Sequence, residues 1–403
     1  MMTYVRSLFV VWMAGQLLTT SSALFAAEPA STIKVPDAAN FARVHEQMQH
    51  FVDQQEIAGG VTLVVTPDRV LSLDAVGNAD RDEHQPMRDD ALFWIASMTK
   101  LFTGVAILQL QEQGKLQLND AVSKYLPEFK DLKNGDGKPV EITILQMLTH
   151  TSGLQNIDAK KAGHVTALQG FVPLIVALPV KFVPGSKWEY NQSGINMAGR
   201  IVEVVSGKTF DAYLSEQFFG PLEMKDTTFY PTAEQRARMA RIYRRSDEGT
   251  LEAEPEEILS RYGIDVTRND RAPLPNAGLF STASDYGRFC QMLLNHGEWN
   301  GHRFLQPESV KLFRTIQTAP EIVTGFTPGN GWGVGCCVIR TPQGMNENLS
   351  PGTFGHGGAF GTQAWMDPER KLAWVLMVQR SNFKNSDASP VRQGFQDALF
   401  PKQ

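Results

Sequence analysis

The fold class predicted by this sequence is α/β: one antiparallel β-sheet formed from both chain ends, flanked by helices and carrying an inserted, mostly helical domain. Two observations carry the prediction. Strand-like patterns are confined to residues 61–76 and 332–378, and the stretch 116–270 shows short helical segments and loops rich in Pro and Gly without sustained alternation. The expected organisation is a leader over 1–27, a sheet domain from 28–115 and 271–403, and a helical domain over 116–270.

Each element has a local reason. Residues 38–55 place Phe41, Val44, Met48, Phe51 and Val52 on one side of a helix with charges opposite. The runs 61–66 and 70–76 flank Pro67, Asp68 and Arg69, turn chemistry suited to a hairpin. A helix follows from about Ser97 to Gly114. Near 282–294, Thr282 precedes a helical pattern with Asp285 three residues on, a capping-box variant. Strands are expected at 332–339, 361–366 and 372–378, the last two joined by a turn at 367–370. A final helix has Ser389 as cap, Pro390 at its first position, and Val391, Phe395 and Leu399 on one face.

The 403 residues are 42% hydrophobic and 20% charged, with a net charge of -5 and no long run of either sign. This is a globular composition without an electrostatic footprint for nucleic acid or anionic lipid, so neither is an expected partner. Arg6, a short apolar run and the small-residue stretch that follows have the order of a secretory signal, with cleavage expected near residues 23–27, so a periplasmic or extracellular location is expected. No later segment reaches the length of a membrane span; the most apolar, 171–184, is broken by three prolines. Cys290, Cys336 and Cys337 are too few and too oddly spaced for a disulfide framework or a zinc site, and free packed thiols are expected, with a pairing of Cys290 to one of the other two left open. His45 and His50 flank Glu46 at a five-residue step that turns them off a common helix face, unlike H-E-x-x-H. The glycines of GNGWGVG miss the dinucleotide spacing. No metal or other cofactor is expected.

The pattern S-x-x-K occurs three times: Ser31 to Lys34, Ser97 to Lys100, and Ser381 to Lys384. The first lies in the leader's exit segment and the third in a polar loop after a strand. The second opens a helix in which Leu101, Phe102, Val105, Ala106, Ile107 and Leu108 leave little polar surface, which means a buried helix. Residues i and i+3 share a face, so the Lys100 amine can reach the Ser97 hydroxyl, close to the positive dipole end of the helix. That is a setting for a nucleophile; the plain structural reading is a serine cap with a snorkelling lysine.

Four further stretches accompany FWIASMTK: ILQMLTHTSGL at 144–154, WEYNQSGINMAGR at 188–200, NAGLFSTASDYGRF at 276–289, and FGHGGAFG at 354–361. Together, and in this order, they resemble the serine β-lactamase and penicillin-recognising superfamily, most closely its class C-like branch of esterases and D-amino-acid peptidases. The resemblance covers essentially the whole chain after the leader. It implies Ser97 as nucleophile, Lys100 as the group that helps deprotonate it, Tyr190 as proton shuttle, and His356 where the family has a lysine or histidine. It also implies an oxyanion hole from the backbone N–H groups of Ser97 and Ala359, and substrate contacts from Gln192, Gly357 and Gly358. A tyrosine acting as base near neutral pH needs nearby cations, and Lys100 and His356 are the expected ones.

Two residues depart from the family's pattern. Gln192 stands where asparagine is usual, with Asn191 pointing elsewhere, and His356 is a weaker carboxylate anchor than lysine. Among ester, lactam and peptide substrates, the first weakens an assignment to penicillin chemistry and the second makes esters or uncharged amides the expected ones. His150 and Ser152 are read as a helix-ending turn, and Trp188 and Trp332 as groove lining or packing. An α/β-hydrolase is excluded, because no serine sits in G-x-S-x-G. The remaining rival is the same fold with a decayed site, acting as an envelope binding or assembly module.

Overall fold

The computed structural model describes residues 35–158 and 163–401. The expected leader and the Ser31–Lys34 pair lie outside them. The large sheet has eight strands: β1 (Gly59–Val65), β2 (Val70–Asp80), β3 (Gln85–Pro86), β4 (Asn330–Trp332), β5 (Cys337–Ile339), β6 (Phe354–Gly357), β7 (Gln363–Asp367) and β8 (Leu372–Met377). Their order is β4-β5-β6-β7-β8-β1-β2-β3, with antiparallel neighbours throughout. The two chain ends meet where β1 pairs β8, from Val61 opposite Met377 to Val65 opposite Ala373. None of these strands lies between residues 87 and 329.

Alternation along the strands sends side chains into two cores. Val61, Leu63 and Val65 of β1 join Ala364, Met366 and Val375 on the face covered by α2 (Thr99–Glu112) and α4 (Ala283–Leu294), with α3 (Gln192–Ser206) packed on α2. Val64, Trp365, Trp374 and Leu376 point the other way, against α1 (Ala38–Asp53) and α5 (Pro390–Leu399). α2 is buried from Thr99 through Leu108, so the helix whose sequence is apolar all round runs through the main core.

Helix ends follow their caps. Asp37 accepts from the Asn40 N–H and Asn40 returns a side-chain bond, closing a capping box at α1, and Ser389 accepts from Arg392 at α5. At α4 the box is half made. Thr282 accepts from the Asp285 N–H, but the Asp285 carboxylate turns away to the Asp226 N–H, the Thr227 hydroxyl and Arg288. The continuous strand expected at 332–339 is instead two short strands joined by a turn. Gly335 there adopts φ +82°, and a Cβ on Gly104 of α2 would lie 2.2 Å from the Val334 carbonyl oxygen. The close approach of helix and turn breaks the strand. Cys336 and Cys337 consequently enter different cores, and all three cysteines are free thiols.

Candidate active site

Ser97 sits in a 3₁₀ turn, Ala96–Met98, that leads into α2. Ala96 has φ +46°, a left-handed conformation costly for a residue with a Cβ, so the turn presenting the serine is locally strained. Lys100 is fully buried, its Nζ 3.0 Å from Ser97 Oγ and donating to the Asn276 carbonyl at 2.7 Å. Loss of water is the dominant influence and pushes the amine well below its usual range, against the smaller opposing pull of the Asp387 carboxylate.

The Lys100 amine lies 4.7 Å from the centre of the Tyr190 ring. Tyr190 precedes Asn191, whose buried side chain caps α3 by accepting from the Gly194 N–H and donates to the Leu154 carbonyl. His150 fixes the tyrosine from behind. Its carbonyl accepts from the Glu189 N–H, its Nδ1 accepts from the Asn191 N–H at 3.1 Å, and its ring centre is 4.5 Å from that of Tyr190. Accepting at Nδ1 makes it the neutral Nε2–H tautomer, in line with a pKa pushed down chiefly by burial. The turn read from the sequence is present, with a positioning task added.

His356, on β6, donates from Nδ1 to the Gly357 carbonyl at 2.6 Å, which leaves the Nε2 lone pair facing the Tyr190 hydroxyl at 3.4 Å. Burial, with the Lys100 charge adding to it, lowers the imidazole to about 3, so it is neutral at pH 7. Burial likewise raises the Tyr190 phenol far above its ordinary value, although a hydrogen bond with Ser97 works the other way. The expectation that Lys100 and His356 act as cations to lower this phenol therefore fails: the histidine is uncharged, the lysine is itself driven toward neutrality, and burial is the largest influence on all three groups.

Beyond Gly357 the chain turns, with the Gly358 N–H bonded to the Thr362 carbonyl at 2.6 Å. A Cβ on Gly358 would fall 2.0 Å from Thr362 Oγ1 and 2.7 Å from the Ile95 carbonyl oxygen, so only glycine lets this turn press against the strained segment before Ser97. Ala359, next in the turn, lines the same cleft as Ser97. A Cβ on Gly357 would meet the Asp387 carboxylate at 2.1 Å. Gln192 reaches the cleft as well. Its Oε1 accepts from Asn276 Nδ2 at 2.9 Å and its N–H donates to Asn156 Oδ1 at 2.7 Å, while the backbone carbonyl of the same Asn276 accepts from Lys100.

The cleft has a volume of about 190 Å³. Trp94, Ile157, Phe171, Tyr262 and Leu274 give it apolar walls. Trp332 is buried and Trp188 half-buried; both pack around Tyr190 and His150 outside this cleft, with Phe326 4.7 Å from the Tyr190 ring. Ser381 hydrogen-bonds Glu254 and Lys384 is exposed, so the third serine–lysine pair forms no site. His45 pairs with Asp74 at 2.9 Å, and among the described residues no group of three His, Cys, Asp or Glu side chains is placed to hold a metal.

An antiparallel sheet with a serine and lysine at the head of its central helix, and a tyrosine and histidine closing on them, defines a penicillin-recognising type of serine hydrolase. A family model described as Beta-lactamase matches residues 44–396, and the chain belongs to that family. Esterase EstB of Burkholderia gladioli is 27% identical over 401 residues, 91% of this chain and 97% of the relative. An Escherichia coli K12 protein provisionally named a D-alanyl-D-alanine carboxypeptidase is 26% identical, covering 96% of this chain and 94% of its own. The solved structure of EstCE1, a hydrolase with promiscuous acyltransferase activity, superposes with a TM-score of 0.77 at 25% identity, covering 90% and 98% of the two chains. The protein is a β-lactamase-related serine hydrolase.

Proposed function

We propose that the protein is exported and hydrolyses esters of uncharged or weakly charged alcohols through an acyl-enzyme on Ser97. The observation that carries this reading is the unbroken chain of contacts Lys100–Ser97 at 3.0 Å, Lys100–Tyr190 ring at 4.7 Å and Tyr190–His356 at 3.4 Å, beside an open cleft. Ser97 Oγ adds to the ester carbonyl and its proton passes to the Lys100 amine, which burial holds toward its neutral form with a lone pair free to accept it. The backbone N–H groups of Ser97 and Ala359 receive the oxyanion, each such donor being worth ~10²–10³ in turnover. Tyr190 gives a proton to the leaving oxygen and regains one from Lys100. Water then attacks the acyl-enzyme with the same groups acting in reverse, releasing the acid and Ser97.

A neutral His356 offers no positive charge to a substrate carboxylate, which favours esters over peptides ending in D-amino acids. The intact shuttle and cleft also favour turnover over the decayed-site reading. Hydrolysis of p-nitrophenyl acetate or butyrate tests the proposal: wild type turns both over, and Ser97→Ala removes the activity. Wild-type rates in Ser97→Ala end it.

A further inference from the structure

The charges around the site are arranged asymmetrically. Tyr190 and His356, which face the leaving group in the proposed reaction, do not line the apolar cleft, whereas Ser97 does. The acyl chain therefore enters the cleft of Trp94, Ile157, Phe171 and Leu274, and the leaving group sits by Tyr190. At the acyl end stands Arg261. It is exposed, lines the cleft, and makes no ion pair or hydrogen bond among the described residues. It closes a short 3₁₀ helix, Glu256–Tyr262, that is pinned to the cleft wall by Tyr262, whose ring lies 4.9 Å from Trp94 and 5.6 Å from Phe360.

The leaving-group end carries both signs. Asp387 lines a small cavity with His356 and Gly357, its carboxylate against the backbone of β6. The neighbouring Arg392 does not pair with that carboxylate. Its guanidinium donates to the Asp387 backbone carbonyl at 2.5 Å, to Asn346 Oδ1 at 2.8 Å and to Gln396 Oε1 at 3.0 Å. A negative charge on the leaving group would meet a neutral imidazole, the Asp387 carboxylate and an Arg392 guanidinium already engaged by three acceptors; a negative charge at the far end of the acyl chain would meet a free guanidinium.

We infer that the preferred substrates are esters whose negative charge lies on the acyl side, half-esters of medium-length dicarboxylic acids, with Arg261 as the specificity-determining anchor. This rests on the Ser97 reading above. Two constitutional isomers separate the sides: monophenyl adipate, charged on the acyl group, and 4-carboxyphenyl pentanoate, charged on the leaving group, each normalised to its own alkaline hydrolysis rate and assayed at pH 8 beside neutral phenyl pentanoate.

Wild type is expected to favour the adipate by about fivefold in kcat/KM, since one charge contact near the surface is worth about that much. Arg261→Glu, an exposed change that leaves the core untouched, should lower the adipate's kcat/KM at least about fivefold relative to phenyl pentanoate. High salt should compress the wild-type preference. Equal normalised rates in wild type, or an adipate preference unchanged by Arg261→Glu, overturn the inference while leaving the Ser97 chemistry standing. Failure to hydrolyse phenyl pentanoate, or its hydrolysis by Ser97→Ala, overturns both.

Discussion

Lys100 is the residue on which the chemistry turns, and its cost is measurable apart from activity. Its folded pKa lies below the 10.5 of an unperturbed lysine. As pH falls from that value the unfolded chain takes up a proton that the folded chain refuses, so wild-type stability declines until the folded pKa is passed. Lys100→Met removes this linkage. Its stability relative to wild type should therefore rise as buffers go from pH 10 toward 7, by up to about 1.4 kcal/mol per unit, read from urea midpoints at each pH. A pH-independent difference would place an ordinary, solvated ammonium there.

Tyr190→Phe should slow turnover by ~10²–10⁴ with the fold intact, and a loss under about threefold would remove it as the shuttle. His356 titrates at about 3, too low to shape a rate profile near neutrality. The acid limb of kcat/KM therefore belongs to the coupled Lys100–Tyr190 pair. His356→Gln should lower kcat without moving that limb; a limb that shifts by a full unit would assign the titration to the imidazole.

At the level of elements, close approaches that only glycine permits build the site. Gly104 lets α2 meet the turn between β4 and β5, and Gly358 lets the turn after β6 press against the peptide ahead of Ser97. Gly104→Ala should cost about 1–3 kcal/mol in denaturant melts, because the Val334 carbonyl is backbone and cannot swing aside. These contacts also mark where the sequence stops being informative. α2 was legible because its apolar residues run around the whole helix and the S-x-x-K pair opens it. The break between β4 and β5 was not, because apolar residues continue through WGVGCCVI and the reason for the turn is a contact with Gly104, distant in sequence. Gly357 and Gly358 announced a tight approach without showing that Asp387 and Ile95 lie on the other side.

Across the whole molecule, both chain ends close one sheet, with Ser97 and Lys100 at the head of α2, a second core under α1 and α5, and Tyr190 packed against that second core. Phe395 lies in that core on α5, and among the described residues its ring is not one of those packed on Tyr190, so Phe395→Ala should cost about 3–5 kcal/mol in urea unfolding yet leave kcat near wild type at 25 °C. Ser97, Lys100, Tyr190 and His356 could be named from five short stretches, and the fold brings them together. Two other contributors were hidden for physical reasons. Asn276 holds Lys100 through a backbone carbonyl, which carries no residue signature, and the Tyr190 clamp at His150 depends on a left-handed turn. The charge states were equally hidden, because burial is a tertiary property: the imidazole and amine expected to be cationic are both driven toward neutrality.

Trapping the acyl-enzyme tests the central claim most directly. Purified protein mixed with excess p-nitrophenyl butyrate, acid-quenched within a turnover and analysed by intact mass and peptide mapping, should carry one butyryl group, on the peptide containing Ser97, with Tyr190→Phe retaining it longer. Ester hydrolysis with no adduct at Ser97, or with the butyryl group on another residue, would contradict the account.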